Sequence, residues 1–327
     1  MKRTEKTEEP GAAGQKRKNR KNTVPILLFG LLILAVGVCV LLYPTISNYF
    51  AEIQQLRIIE KYQDALETTD LDYSEEWELA YEYNSQLTGD VVEDPFEAGS
   101  GYTIPDNYED VLNISGDGIM GYLSIPEIDV SLPIYHGTSD EVLNKGVGHV
   151  DYSSLPIGGE GTHCILAAHR GLTSAKLFTD LDKLEIGDMF YITVLDETLA
   201  YEVDQITVVE PDDFSQLQFE NDQDYCTLLT CTPYGINTER LLVRGHRVEY
   251  EEDTDLIASR KQNILLQGTL GGLIAAAVVL LIIWLVYREV RKQKQRSGAG
   301  GSSSTPPESA DSAGTGSDPP GSDPSGP

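Results

Sequence analysis

The sequence predicts a mainly β fold, a barrel or a sandwich, held between two membrane-spanning helices. Three observations predict it. The intervals Val24 to Tyr43 and Ile264 to Tyr287 run for 20 and 24 residues without a charge, each long enough as a helix to cross a hydrocarbon layer of roughly 30 Å. From Gly118 onward the chain breaks into short β-branched and aromatic runs separated by Gly, Pro and Asp, the texture of closely spaced strands. Basic clusters stand at the outer ends of both apolar intervals, Lys16 to Lys21 before the first and Arg288 to Arg296 after the second. By the positive-inside rule both clusters are cytoplasmic, and the region between them lies outside.

The elements follow in chain order. Residues 1–23 are polar and basic and read as a disordered cytoplasmic tail. Residues 24–43 read as an uncleaved signal anchor. A cleaved signal peptide is the rival, but the apolar core is long for one and no small-x-small site follows in Tyr43-Pro44-Thr45-Ile46. In 44–117, Ile53, Leu56, Ile59 and Tyr62, then Trp77, Leu79 and Tyr83, fall at helical spacing. One or two helices are expected there, on the membrane side of the domain.

The β region covers 118–256. Its runs are Met120 to Ile125, Val130 to Tyr135, Cys164 to Ala168, Met189 to Leu195, Leu199 to Val209, Tyr225 to Thr230 and Leu241 to Tyr250. They are enough for one core, with helical filler expected only around Thr173 to Lys183. Residues 264–287 are apolar on all faces and end in cations, which favours a span over a buried core helix. Within them Gly268-x-x-x-Gly272 is either a packing face or ordinary glycine in a membrane helix. Residues 288–327 are basic, then rich in Gly, Ser, Pro and Asp with little to bury, a second cytoplasmic tail.

Charge narrows the class of partner. Of 52 acidic and 24 basic residues, 44 and 11 lie between the spans, a net of about −33. Such a surface repels nucleic acid and anionic lipid heads and keeps an external domain soluble. No metal or cofactor site is evident: the five histidines and four cysteines lack paired ligand spacing, and the acidic residues form no EF-hand pattern.

One place announces a chemistry. Thr227-Leu228-Leu229-Thr230-Cys231-Thr232-Pro233 sets a thiol at the end of an apolar run, with Arg240 nine residues on, which are parts an acyl-transfer nucleophile needs. Ile165-Leu166-Ala167-Ala168 similarly reads as a buried strand ending at His169-Arg170-Gly171. Arg244 and Arg247 compete with Arg240 for the cationic role. If Leu241, Val243 and Gly245 face one side of their strand, Arg240 and Arg244 share the other. Arg170 reads as structural.

The run from His169 to Phe178, the Thr-Leu-Leu-Thr-Cys segment, and the stretch from Thr232 to Gly245 with Arg240 inside it closely resemble the sortases, and more narrowly the pilus-assembling class C sortases. The resemblance covers roughly residues 45 to 290. It implies an eight-stranded sortase β-barrel with N-terminal helices, flanked by two transmembrane helices, with His169, Cys231 and Arg240 as catalytic triad. It also implies a cysteine transpeptidase that cleaves an LPxTG-like sorting signal between Thr and Gly and passes the acyl fragment to a lysine amine of a pilin subunit. Its partners would be pilins carrying such signals, and no cofactor is implied. Two other readings stay open, a sortase that anchors proteins to peptidoglycan and a surface cysteine protease.

Val92-Glu93-Asp94-Pro95-Phe96 resembles the Asp-Pro-aromatic lid of class C sortases. That implies Asp94 pairing with Arg240 and Phe96 covering Cys231. Cys164 and Cys226 each stand five residues before His169 and Cys231. If their strands are parallel neighbours in register, the two thiols are cross-strand neighbours, either bridged as the extracellular setting permits or two buried apolar thiols.

Overall fold

Eight strands close into a barrel in the order β1-β2-β3-β4-β7-β8-β6-β5. This computed structural model describes residues 23–68, 72–87, 96, 105–250 and 256–298. The strands are β1 (Ile119–Ile125), β2 (Val130–His136), β3 (Val147–His149), β4 (Thr162–Ala167), β5 (Met189–Val194), β6 (Glu197–Val209), β7 (Asp224–Thr232) and β8 (Glu239–Val248). Most ladders are antiparallel, but β2 with β3 and β4 with β7 run parallel. Closure removes the unpaired edges that an open sheet would present.

Seven of the eight strands match the runs read from sequence, and β3 does not. It is three residues, Val147-Gly148-His149, too short to show an alternation. The one-turn helix α3 (Asp140–Leu143), capped by the Ser139 hydroxyl accepting from the Val142 N–H, carries the crossover between β2 and β3 and also leaves little sequence signal. The helical filler expected at Thr173 to Lys183 is not there. Apart from a 3-10 turn at Leu181–Lys183 the segment is a chain of turns, with Leu177 at φ 41°. Ala175, Leu177, Phe178 and Leu181 all join the barrel core. Their irregular spacing serves the barrel interior, and that burial outweighs helix propensity.

The first helix, α1 (Thr23–Thr68), runs unbroken through Pro44, so the first apolar interval and the helical periodicity beyond it form one rod. Pro44 removes one backbone hydrogen bond, and the turns on either side carry the helix past it. Leu56, Ile59 and Tyr62 are buried against Ile119, Tyr122 and Tyr135 of the barrel. The Tyr62 hydroxyl donates to the Met120 carbonyl at 2.9 Å and accepts from the Leu195 N–H at 2.9 Å. Helix α2 (Ser74–Gln86) buries Ala80 and Tyr83, and its Asn84 side-chain Oδ1 accepts from the Leu155 N–H.

A last helix, α4 (Leu256–Gly298), packs its first turns against α1. Lys261 pairs with Glu60, Ile264 is buried beside Leu56 and Ile59, and a Cβ added at Gly268 would lie 2.3 Å from the Tyr49 hydroxyl oxygen. These pairings descend α1 as they ascend α4, an antiparallel seam. Gly268 is thus a packing glycine, whereas a Cβ on Gly272 would meet nothing within 4 Å, so only half of the spaced pair serves this contact. Both α1 and α4 contain stretches long and apolar enough to cross a membrane.

Candidate active site

The site grows out of side-chain alternation on three adjacent strands. On β4, Cys164, Leu166 and Ala168 face the barrel interior, while Ile165 and Ala167 face outward into a second apolar cluster. On β7, Cys226 and Leu228 face in and Leu229 faces out; on β8, Leu241 and Val243 face in and Leu242 out. The period of two carries these outward rows to the strand ends, where they terminate in His169, Cys231 and Arg240. Cys231 and Arg240 are direct partners across the β7/β8 ladder, so thiol and guanidinium stand side by side.

The outward cluster is the floor of this corner. Leu143, Val150, Tyr152 and Leu217, with Phe214 and Phe219, pack over Ile165, Ala167, Leu229 and Leu242. The β6–β7 loop supplies three of these, a contribution that sequence reading missed because the loop shows no periodicity. Cys231 is 8% and Arg240 7% exposed. Arg240 Nη1 donates to the carbonyls of Asn237 and Glu239 at 3.3 and 3.2 Å, which folds the guanidinium against its own turn.

Phe96 lies over the corner. Its ring centroid is 5.8 Å from the imidazole of His169 and 5.2 Å from Arg240 Cζ, and it packs on the outward cluster. One aromatic side chain therefore touches the histidine, the arginine and the floor. Asp94, the other residue of the expected lid, lies outside the described residues.

Partial burial lowers the His169 pKa, and the carboxylate of Asp140 on α3 pulls in the opposite direction. The balance favours a neutral imidazole, the form that accepts a proton. Asp140 had no signal in sequence. The loop after His169 leans on α1, with the Ser47 hydroxyl donating to the Ser174 carbonyl at 3.1 Å.

The competing cations are committed elsewhere. Arg244 does share the Arg240 face, but it forms a bidentate pair with Asp204 at 3.0 Å and stacks 4.0 Å over Tyr225. Arg247 lies at the far end, 3.9 Å from Asp224. Three other histidines serve the fold. His149 Nε2–H donates to the Ser154 carbonyl and Nδ1 accepts from Tyr108. His163 Nδ1–H donates to the Gln218 carbonyl and Nε2 accepts from Thr227. Burial pushes His149 down to about 3 and His163 to about 4. His136 bonds the carbonyls of Gly118 and Val111.

Cys164 and Cys226 are register partners on parallel β4 and β7, as the conditional reading required. Both are buried and unbridged, so the disulfide alternative is not the state seen. Burial raises the Cys226 thiol well above its ordinary value, which leaves it inert as a nucleophile.

A closed mixed barrel with cysteine, histidine and arginine at one outer corner defines a class of cysteine acyl-transfer enzymes, and comparison with known proteins gives the family. Residues 123–248 match the sortase domain model. Sortase D of Bacillus subtilis (strain 168) is 32% identical over 131 residues, 39% of this chain and 63% of that protein. Among the solved structures, Streptococcus pneumoniae sortase C is 43% identical with a TM-score of 0.55, covering 61% of this chain and 100% of the other. Sortase C1 of Streptococcus agalactiae is 48% identical with a TM-score of 0.54, covering 60% and 100%. This chain belongs to the sortase family, whose members are cysteine transpeptidases, and its structural neighbours are class C sortases. It spans just under two thirds of the Bacillus subtilis relative's length.

Proposed function

We propose that this protein is a membrane-anchored class C sortase that cleaves an LPxTG-like sorting signal between Thr and Gly and joins the acyl fragment to a pilin lysine amine. The observation that carries this reading is the convergence of His169, Cys231 and Arg240 at one corner of the barrel, with Phe96 lying across it. The pneumococcal sortase C has been studied for pilin substrate specificity, which supports the choice of acceptor. The two apolar helices and the flanking cations support an external catalytic domain with both termini cytoplasmic.

The chemistry follows from the residue types. Proton transfer from Cys231 Sγ to His169 gives a thiolate, which attacks the threonine carbonyl carbon. Negative charge develops on the carbonyl oxygen, and the guanidinium of Arg240, which stays protonated, is the group beside Cys231 able to hold it. Collapse breaks the Thr–Gly bond as His169 returns the proton to the leaving amine, and an acyl thioester remains on Cys231. A lysine amine then attacks the thioester carbonyl with His169 taking its proton. The thiolate departs, and an isopeptide bond is formed with no water consumed.

The test incubates the full-length protein in detergent with pilin subunits. The expected product is a cross-linked dimer whose branch peptide, read by mass spectrometry, names donor and acceptor. Cys231→Ala should abolish it. Hydrolysed signal without transfer would favour the protease, and use of a wall-precursor amine with refusal of pilin lysine would favour peptidoglycan anchoring.

A further inference from the structure

We propose that Arg170 is a positioning residue for the transfer reaction, its buried guanidinium clamping the ends of β4 and β7 together one residue beyond His169 and Cys231. The inference rests on the function proposed above and adds to it a residue that touches no reacting atom.

The last ladder pair between the parallel strands is Ala167 with Leu229. One residue further, the Ala168 N–H still donates to the Leu229 carbonyl at 3.2 Å and the Thr230 hydroxyl donates to the Ala168 carbonyl at 2.7 Å. The same register carried on sets His169 against Cys231 and Arg170 against Thr232. Here the backbone ties change. The His169 carbonyl accepts from Phe178 within its own loop, Gly171 turns away at φ 82°, and β7 runs into Pro233, which has no N–H to give.

At this point Arg170 Nη1 donates to the Thr232 hydroxyl at 3.0 Å. Its Nη2 donates to Asp182, on the 3-10 turn whose Leu181 is fully buried in the barrel core. The fork thus ties the histidine's strand end, the cysteine's strand end and a fixed point of the barrel.

The electrostatics argue that the arrangement is specific. The Arg170 side chain is 7% exposed against 46% for Asp182, so a nearly buried cation is balanced by a half-solvated carboxylate, and Arg170 Nε is buried without a partner among the described residues. A buried charge with an unmet N–H opposes stability. A packing role alone would be met better by an apolar side chain. A planar fork reaching two acceptors in different directions is a task lysine cannot reproduce. Nucleophile and base act only in near-contact geometry, where a displacement of about 1 Å can cost roughly 100-fold in rate.

The test compares wild type, Arg170→Lys and Thr232→Val in the full-length protein, reading kcat and KM for transfer, the pH profile of Cys231 alkylation, and thermal unfolding. Loosening the corner should lower kcat by about 10- to 100-fold in Arg170→Lys and about 5- to 10-fold in Thr232→Val, with KM within about threefold. The alkylation midpoint should move to higher pH in both, because the thiolate is less well paired with imidazolium. Folded variants with kcat within about twofold and an unmoved pH profile would overturn the proposal, as would a rate loss that merely tracks the unfolded fraction. If Arg170→Lys does not fold, Thr232→Val decides alone, since it removes the acceptor and keeps the shape. A wild-type protein with no transferase activity would instead indict the proposed function.

Discussion

Replacing Phe96 with alanine should uncover Cys231, and the contacts give the size of the effect. The ring sits 5.2 Å from the Arg240 guanidinium carbon and 5.8 Å from the His169 ring centroid. A cation over an aromatic face contributes about 0.5–2 kcal/mol and an aromatic pair about 0.5–1.5 kcal/mol. Truncation therefore weakens closure by about 2 kcal/mol, roughly a 30-fold change in the closed-to-open ratio. The assay is the rate of Cys231 modification by a thiol reagent, followed by mass spectrometry of the Cys231 peptide. Peptide resolution matters because Cys39 is exposed and would dominate a bulk measurement. Phe96→Tyr keeps the ring and should react at the wild-type rate. A rise below about threefold in Phe96→Ala would refute the reasoning, since it would mean the ring rests on the site without controlling access.

Arg240→Lys retains the charge and loses the planar fork, so kcat for transfer should fall by about 100- to 1000-fold with KM little changed; equal turnover would remove Arg240 from the oxyanion role. Gly268→Leu would drive a side chain into the Tyr49 ring and should destabilise the full-length protein by about 1–3 kcal/mol. Gly272→Leu, in open space, should be silent in the same thermal melt, and equal effects would refute the seam. Stability should also decline in mild acid. His149 and His163 stay neutral in the fold, at about 3 and about 4, whereas the unfolded chain takes up protons on them below about 6.5. Falling pH thus favours unfolding, by about 2 kcal/mol for each histidine at pH 5. Denaturant midpoints that stay level from pH 7.5 to 5 would contradict this.

The sequence showed what depends on local pattern and concealed what depends on assembly. Seven strands were visible because β-branched runs between turn residues mark themselves, while β3 and α3 are shorter than any period that could reveal them. Thr173 to Lys183 looked helical by content and is a plug of turns because its apolar side chains serve the barrel end. His169, Cys231 and Arg240 stood out by motif, but their shared outward face is a register property of β4, β7 and β8 that no single segment encodes. Phe96 was found only through resemblance, since a Pro-Phe string has no periodicity. The two hydrogen bonds of Arg170 were out of reach of the sequence because its acceptors, Thr232 and Asp182, lie 62 and 12 residues away.

The hydrogen bond from Ser47 to the Ser174 carbonyl sets an altitude. Five residues separate Ser174 from His169, so the imidazole's backbone lies within about 17 Å of that contact. Ser47 itself stands one helical turn, about 6 Å, past Tyr43. On the proposed function, with Tyr43 taken as the rim of the apolar layer and about 8 Å added for the Ser47 contact itself, the backbone of His169 stands no more than about 31 Å above it. On that proposed function, a target emerging from the same bilayer would have to present its scissile carbonyl within that reach, so the length of peptide between its own anchor and its cleavage point would enter into selection.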